Sequence, residues 1–326
     1  MPAPLLEVRG LKTYFTLWGG VVKALDGIDL TLGVGEIMGI VGESGGGKSV
    51  TAFSIMRLID PPGRIEAGKI LFEGEDLLSK SEAEMRKMRG RAISMVFQDP
   101  MTALNPLHTI KDQIDEALRL HTGMNERERG ERILSLLHEV GIPNPEERLS
   151  SYPHQFSGGM LQRVVIAIAL AAGPRLIIAD EPTTALDVTV QAQILSLMEA
   201  TVRERGAALI LITHDLAVAA GMADKIAVMY CGRVVEAGTA DSVIRSPAHP
   251  YTRGLLNSMP SAAQTKGRLA QIPGVVPSLL DLPPGCAFAP RCELACDACG
   301  AGVPAMVQVE PGHEAACFAL NGGGNI

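Results

Sequence analysis

The chain has 326 residues, enough for one large domain or two ordinary ones with real cores. Hydrophobic residues make up 47% and charged residues 20%, a globular balance, and a net charge of −7 argues against a general nucleic-acid binder, so no nucleic-acid partner is expected. No apolar run approaches the roughly 18 residues that span a bilayer, and "MPAPLLEVRG" lacks the layout of a secretion signal, so a cytosolic chain is expected.

Short apolar runs broken by glycine and charge predict strands in LLEVRGLKTYF, KALDGIDLTL and EIMGIVG. From Lys48, KSVTAFSIMRLI recurs at helical spacing, and GKILFEGEDL is again strand-like. Between about Asp99 and Pro153 the text becomes charged amphipathic helix, as in TIKDQIDEALRLH and ERERGERILSLLHEVG. Strand and helix then alternate through RLIIAD, TVQAQILSLMEATVRER, AALILITH, DKIAVMY and GRVVEAG. That alternation predicts an α/β fold, a parallel sheet with crossover helices, interrupted by a helical insertion. After about Ala240 the periodicity fades into Pro- and Gly-rich text, and no repeat of fixed period is present.

The stretch GESGGGKS fills every specified position of a P-loop, between an apolar strand and a helix. Glycines let the backbone curl so that successive N–H groups face phosphate oxygens, and the helix start adds a favourable dipole. The candidate site runs over Gly42, Glu43, Ser44, Gly45, Gly46, Gly47, Lys48, Ser49 and Val50. Lys48 is expected to reach the β- and γ-phosphates of ATP, and Ser49 to ligate Mg²⁺. RLIIADEP supplies the distal acids: Asp180 at a strand end to hold Mg²⁺, and Glu181 to orient or deprotonate the attacking water. His214 ends the next strand and is expected to contact the γ-phosphate.

HQFSGGMLQRVVIAIAL holds a second candidate anion site, with Ser157, Gly158, Gly159 and Met160 at a helix start and Ser157 as its N-cap. One chain cannot easily bring two such sites to one nucleotide. The stretch resembles the signature motif of ATP-binding cassette (ABC) ATPases, in which one subunit's signature covers ATP held by its partner's P-loop. With Gln98 in MVFQDP, TTALD after Glu181, and His214, the resemblance runs from about Leu5 to Pro260. It implies an ABC-type P-loop ATPase: a RecA-like core with an N-terminal antiparallel β subdomain, an inserted helical subdomain and an irregular Cys-rich C-terminal extension. The implied boundaries are 1–98 and 164–240 for the nucleotide-binding core, 99–163 for the helical subdomain and 241–326 for the extension. Gln98 matches the Q-loop residue that senses Mg²⁺ and water, and Ala185, Leu186 and Asp187 match the D-loop at the dimer interface. Of Tyr14 and Phe15, Phe15 better matches the aromatic residue that stacks on adenine. Met160 departs from the usual glutamine.

QDPMTALNP, YPHQFSGGM, DEPTTALDVTVQAQIL and SPAHPYTRGLL resemble the ATPase subunits of oligopeptide/dipeptide importers, as does IPGVVPSLLDLPPGC. The resemblance implies a peripheral subunit on the cytoplasmic face of the cell (inner) membrane. Its implied partners are a second homologous ABC ATPase in a heterodimer, two transmembrane permease subunits and an extracytoplasmic solute-binding protein. Nickel, glutathione, sugars and opine-like solutes are alternative cargoes. A non-transport ABC ATPase and a non-hydrolysing regulatory partner are rival readings; the short insertion, single cassette and acidic charge oppose the first, and Glu181 opposes the second.

Cys286, Cys292, Cys299 and Cys317 read as C-x5-C-x6-C-x17-C, unlike the closely spaced pairs of zinc fingers. Four thiolates closing on one centre would tie down an irregular, Pro-rich tail. Members of the importer branch resemble this pattern, and some carry a [4Fe–4S] cluster there, which takes four thiolates. Zinc, and free or packed thiols, remain the alternatives. Cys296 is a spare thiol, Cys231 reads as a small buried hydrophobe, and Arg291 either offsets thiolate charge or lies on the surface.

Overall fold

The structure, a computed structural model, describes residues 3–184, 186–259 and 271–322. In chain order its strands are β1 (Leu6–Leu17), β2 (Gly20–Leu32), β3 (Ile37–Val41), β4 (Gly63–Phe72), β5 (Glu75–Asp76), β6 (Ile93–Val96), β7 (Leu176–Asp180), β8 (Ala208–Thr213), β9 (Lys225–Tyr230), β10 (Arg233–Thr239), β11 (Val307–Glu310) and β12 (His313–Ala315). The chain divides into two compact units. One comprises Met1–Leu32, Ile37–Leu78 and Thr213–Ile326, the other Gly33–Glu36 and Ser79–Ile212.

In the first unit, β2, β1, β4 and β5 form an antiparallel sheet in that order. A second set runs β11-β12-β10-β9-β3, antiparallel except where β3 lies parallel to β9. All of β3 is buried, which is why IMGIV is an unbroken apolar run rather than an alternating one. β9 and β10 are joined by Cys231 and Gly232, both at positive φ (47° and 77°), the backbone a two-residue hairpin turn requires.

The tail builds on this unit's core. Tyr230 of β9, Tyr251 and Phe288 pack with ring centroids 4.7–5.4 Å apart, and Cys231 is buried in the same cluster, as expected. Two short helices, Ala240–Arg245 and Pro250–Asn257, lie where the sequence shows no periodicity. Each is too short for a periodic window, and both start from local signals: Thr239 as N-cap of one, His249 as N-cap and proline at the first position of the other. The fully buried Glu236 accepts hydrogen bonds from Ala248 N–H (2.7 Å) and His249 N–H (2.9 Å) and meets His313 Nε2 at 2.7 Å. A carboxylate satisfied on three sides anchors the β11–β12 hairpin and the Pro250 helix to β10.

In the second unit, β6, β7 and β8 are parallel neighbours, with Val96 opposite Ala179 and Asp180 opposite Ile212. β6, a four-residue buried run, has no counterpart among the strands expected from sequence. The expected charged amphipathic helices are Ile110–His121 and Glu126–Glu139, each opened by a capping box. Ile110, Ile114 and Leu118 line one face of the first, at four-residue spacing, and are buried against the second helix and helix Gly158–Leu170. No helix among the described residues is long and apolar enough to cross a membrane.

His249 makes stability depend on pH. Burial holds its ring down to about 4, in keeping with Nδ1 accepting the Tyr251 N–H at 3.0 Å. The native ring stays neutral while the unfolded one takes up a proton below about pH 6.5. The stabilisation is therefore complete above about 6.5 and lost as pH falls towards 4, by up to about 3 kcal/mol. Thermal unfolding between pH 7.5 and 4 is expected to show that loss in wild type and a shallower one in His249→Gln.

Candidate functional site

The Gly42–Ser49 loop leaves β3 and opens helix Lys48–Met56. It packs backbone to backbone on its surroundings. A Cβ at Gly42 would stand 2.2 Å from Met229 O, and one at Gly47, whose φ is 100°, would stand 2.6 Å from Ala24 O. No other residue type fits either position. Gly46 O accepts the N–H of Gly232, in the β9–β10 turn, at 2.9 Å. Lys48 is only 5% exposed, and its ammonium donates to Gly42 O (2.8 Å) and Glu43 O (3.0 Å). Ser44 and Gly45 are exposed, and Ser49 and Val50 are half-buried. A buried cation inside a glycine curl at a helix start is an arrangement for binding an anion.

Phe15 and Tyr14 lie in β1 of the same unit. Tyr14 is committed elsewhere: its hydroxyl donates to Asp26 at 2.9 Å, and burial, then that bond, pushes it up to about 12. Phe15 is half-buried with its ring against Gly63. His214, exposed, stands one residue past β8.

The second unit carries the acids. Asp180 ends β7 and is buried. Glu181 takes a left-handed backbone, φ 45°, which costs a non-glycine residue about 1 kcal/mol. Its Oε2 accepts from Thr184 Oγ1 at 2.9 Å and from Gln98 Nε2 at 3.4 Å. Because β6 and β7 are parallel and in register, the residues just past their ends share one sheet edge, and this brings Gln98 to Glu181. Thr184 was not expected from sequence; its place three residues after an acid is a weak signal in isolation.

Ser157 stands at the N-cap position of helix Gly158–Leu170 with N-cap backbone angles, yet its exposed hydroxyl makes no cap bond, contrary to the sequence expectation. Glycine at the next two positions lets the chain run close to its neighbours: a Cβ at Gly159 would meet Val190 Cγ1 at 2.8 Å. Met160 is half-buried beside it. Asp187 caps the following helix, accepting from Val190 N–H at 2.9 Å. Ala185 lies outside the described residues.

The tail's thiols converge without closing. Cys286 N–H donates to Cys299 O at 2.8 Å, an approach that only glycine at position 285 permits, since a Cβ there would fall 2.0 Å from that oxygen. Cys292, Cys299 and Cys317 are all raised above the usual thiol range, mainly by burial and further by neighbouring thiols, Cys286 acting on each. Of these thiols, Cys296 and Cys299 approach to 3.7 Å. A single tetrahedral zinc asks every pair of its sulfurs for roughly that spacing, and among the described residues no three His, Cys, Asp or Glu side chains are set to hold one ion. Arg291 is not a surface residue: it is 6% exposed, and its guanidinium pairs with Glu43. The two residues are 248 positions apart, so no local pattern signals the pair.

Two family descriptions match the chain: ABC transporter over residues 25–184, and oligopeptide/dipeptide transporter, C-terminal region, over residues 235–299. The dipeptide transport ATP-binding protein DppD of Escherichia coli (strain K12) is 51% identical over 96% of both chains. DppD of Haemophilus influenzae is 50% identical over 94% of this chain and 91% of its own. Among solved structures, the dimeric post-hydrolysis ATP-binding cassette MJ0796 bound to ADP and Pi aligns with a TM-score of 0.66 at 28% identity, covering 72% of this chain and 98% of that one. The cbiO1 protein of Clostridium perfringens aligns at 0.64 and 28%, over 75% and 92%. The glycine-bound lysine, the acids at the β7 edge and the extent of these matches agree: the chain belongs to the ABC transporter ATPases, in the branch that carries the oligopeptide/dipeptide transporter C-terminal region.

Proposed function

We propose that this chain is the ATP-hydrolysing subunit that energises import of di- or oligopeptides through an ABC transporter. The observation that carries this reading is the near full-length similarity to dipeptide transport ATP-binding proteins, joined to a buried Lys48 in a glycine curl. In this reading the Gly42–Val50 segment holds the ATP phosphates, Ser49, Asp180 and Gln98 hold Mg²⁺, and Phe15 stacks on adenine. The prior engagement of the Tyr14 hydroxyl supports choosing Phe15. Glu181 acts on the attacking water and His214 on the γ-phosphate. The shared bonds of Glu181 with Gln98 and Thr184 support that role, since they aim a carboxylate whose backbone is already constrained. Ser157, Gly158, Gly159 and Met160 cover the ATP of a partner cassette, and Asp187 lies at that interface. The Ser157 hydroxyl, unused by its own helix, supports a ligand from outside.

The same reading assigns residues 99–163 to a helical subdomain that passes movement to the permease, between core segments 1–98 and 164–240, with 241–326 as the extension. Two membrane permeases and an extracytoplasmic binding protein complete the complex at the cytoplasmic face of the membrane, with a homologous ATPase as the second cassette. Peptide is the favoured cargo because the relatives named above are dipeptide transport proteins. A [4Fe–4S] cluster on Cys286, Cys292, Cys299 and Cys317 is the finer reading of the tail; when bound, it would supply a cross-link among four separated backbone positions. The Cys286 N–H bond to Cys299 O, which brings two of the four cysteine backbones together, supports it.

Two measurements test this. In the assembled transporter, Glu181→Gln is expected to lower ATP turnover about 10²–10³-fold while ATP binding persists; unchanged turnover would remove Glu181 from the chemistry. Protein purified without oxygen is expected to absorb in the visible and to carry about four irons and four sulfides per chain. Loss of iron in Cys286→Ser, Cys292→Ser, Cys299→Ser and Cys317→Ser, but not in Cys296→Ser, would assign the ligands. Colourless, iron-free protein with normal ATPase activity would overturn the cluster and leave the ATPase reading intact.

A further inference from the structure

The P-loop pattern specifies nothing at its second position, yet Glu43 is held there by both its side chain and its backbone. The buried Arg291 reaches it with both ends of its fork, Nη1 to Oε2 at 2.7 Å and Nη2 to Oε1 at 3.1 Å. The guanidinium is itself held from behind, with Nε donating to Pro273 O at 2.9 Å and Nη1 to the Tyr230 hydroxyl at 3.3 Å. A second residue of the C-terminal segment takes the backbone: Glu43 N–H donates to the Tyr251 hydroxyl at 2.8 Å. That N–H belongs to the same planar peptide whose carbonyl, Gly42 O, receives the Lys48 ammonium at 2.8 Å. Tyr251 and Lys48 therefore grip opposite ends of one rigid unit.

We propose that Arg291 and Tyr251 are positioning residues for the phosphate loop: they hold Glu43 by side chain and backbone, and through the Gly42–Glu43 peptide they set the resting place of Lys48. The proposal rests on the reading of Gly42–Ser49 as the nucleotide phosphate site. Its physical basis is preorganisation. A glycine-rich loop loses more conformational freedom on ordering than any other sequence, and an outside hold removes that cost from the binding step. The fork cannot be replaced by a point charge, because two parallel bonds fix the direction of the carboxylate. The turn that carries Arg291, Ala289–Arg291, is bracketed by Cys286 and Cys292 and closed by Ala289 N–H to Cys286 O and Cys292 N–H to Ala289 O. Arg291 thus ties the thiol-rich tail to the loop.

The test uses the full chain and Mg-ATP, with affinity from a fluorescent nucleotide, KM and kcat in the assembled transporter, and thermal unfolding of each variant. Glu43→Gln, remote from the thiols, and Arg291→Lys are expected to weaken Mg-ATP binding and raise KM about tenfold with kcat nearly unchanged, the mark of lost uniform binding. Tyr251→Phe is expected to act in the same direction by a smaller factor. The double variant Glu43→Gln/Arg291→Lys is expected to lose no more than the worse single change, since both break one contact. Unaltered affinity and KM in well-folded Glu43→Gln and Arg291→Lys, or full additivity in the double variant, would overturn the proposal. Wild-type protein that fails to bind Mg-ATP would instead overturn the phosphate-site reading itself, and this one with it.

Discussion

The phosphate loop meets the strands that carry it backbone to backbone at its glycines. Gly47 and Gly232 both press on a single carbonyl, that of Ala24, and Gly42 presses on Met229. Hydrogen bonds continue the same line, from Asp26 N–H to Gly232 O and from Gly232 N–H to Gly46 O. The curl of the loop is therefore inherited from β2 and the β9–β10 turn rather than chosen by the loop. Interiors at this density transmit displacements, so a change of one methyl group at these contacts is a change in the loop.

This constraint explains why the C-terminal segment is part of the first unit rather than an appendage. It places its apolar residues where the unit needs them: Phe288 and Tyr251 against Tyr230, at the strand that Gly42 touches. Two buried charged side chains here, Glu236 and Arg291, are paired rather than avoided. Glu236 gathers two backbone N–H groups and His313, and Glu43 gathers Arg291. Breaking such a pair leaves a charge in the interior, which costs far more than the pair contributes when intact.

The second unit solves a different problem, the aiming of a carboxylate. Parallel strands in register bring Gln98 and Glu181 to one edge, and the left-handed backbone at Glu181 turns its side chain into the reach of Thr184. Helix Gly158–Leu170 begins with a serine whose hydroxyl is not spent on its own helix end.

Much of this was legible in the residues because the signals are local. A filled P-loop between an apolar run and a helix, an apolar strand ending in two acids, and capping boxes before amphipathic runs each encode their structure within about a dozen positions. β6 and the short helices after Ala240 escaped because four to eight residues give no periodic window, and the N-cap bond expected of Ser157 is absent because its position, not its chemistry, is what the sequence encodes. The sequence by itself determined the family, the order of the motifs and the residue types at the phosphate loop. Only the tertiary structure decided that Arg291 and Tyr251 belong with Glu43: across more than two hundred residues no local propensity speaks, and burial of a guanidinium calls for a paired counter-charge.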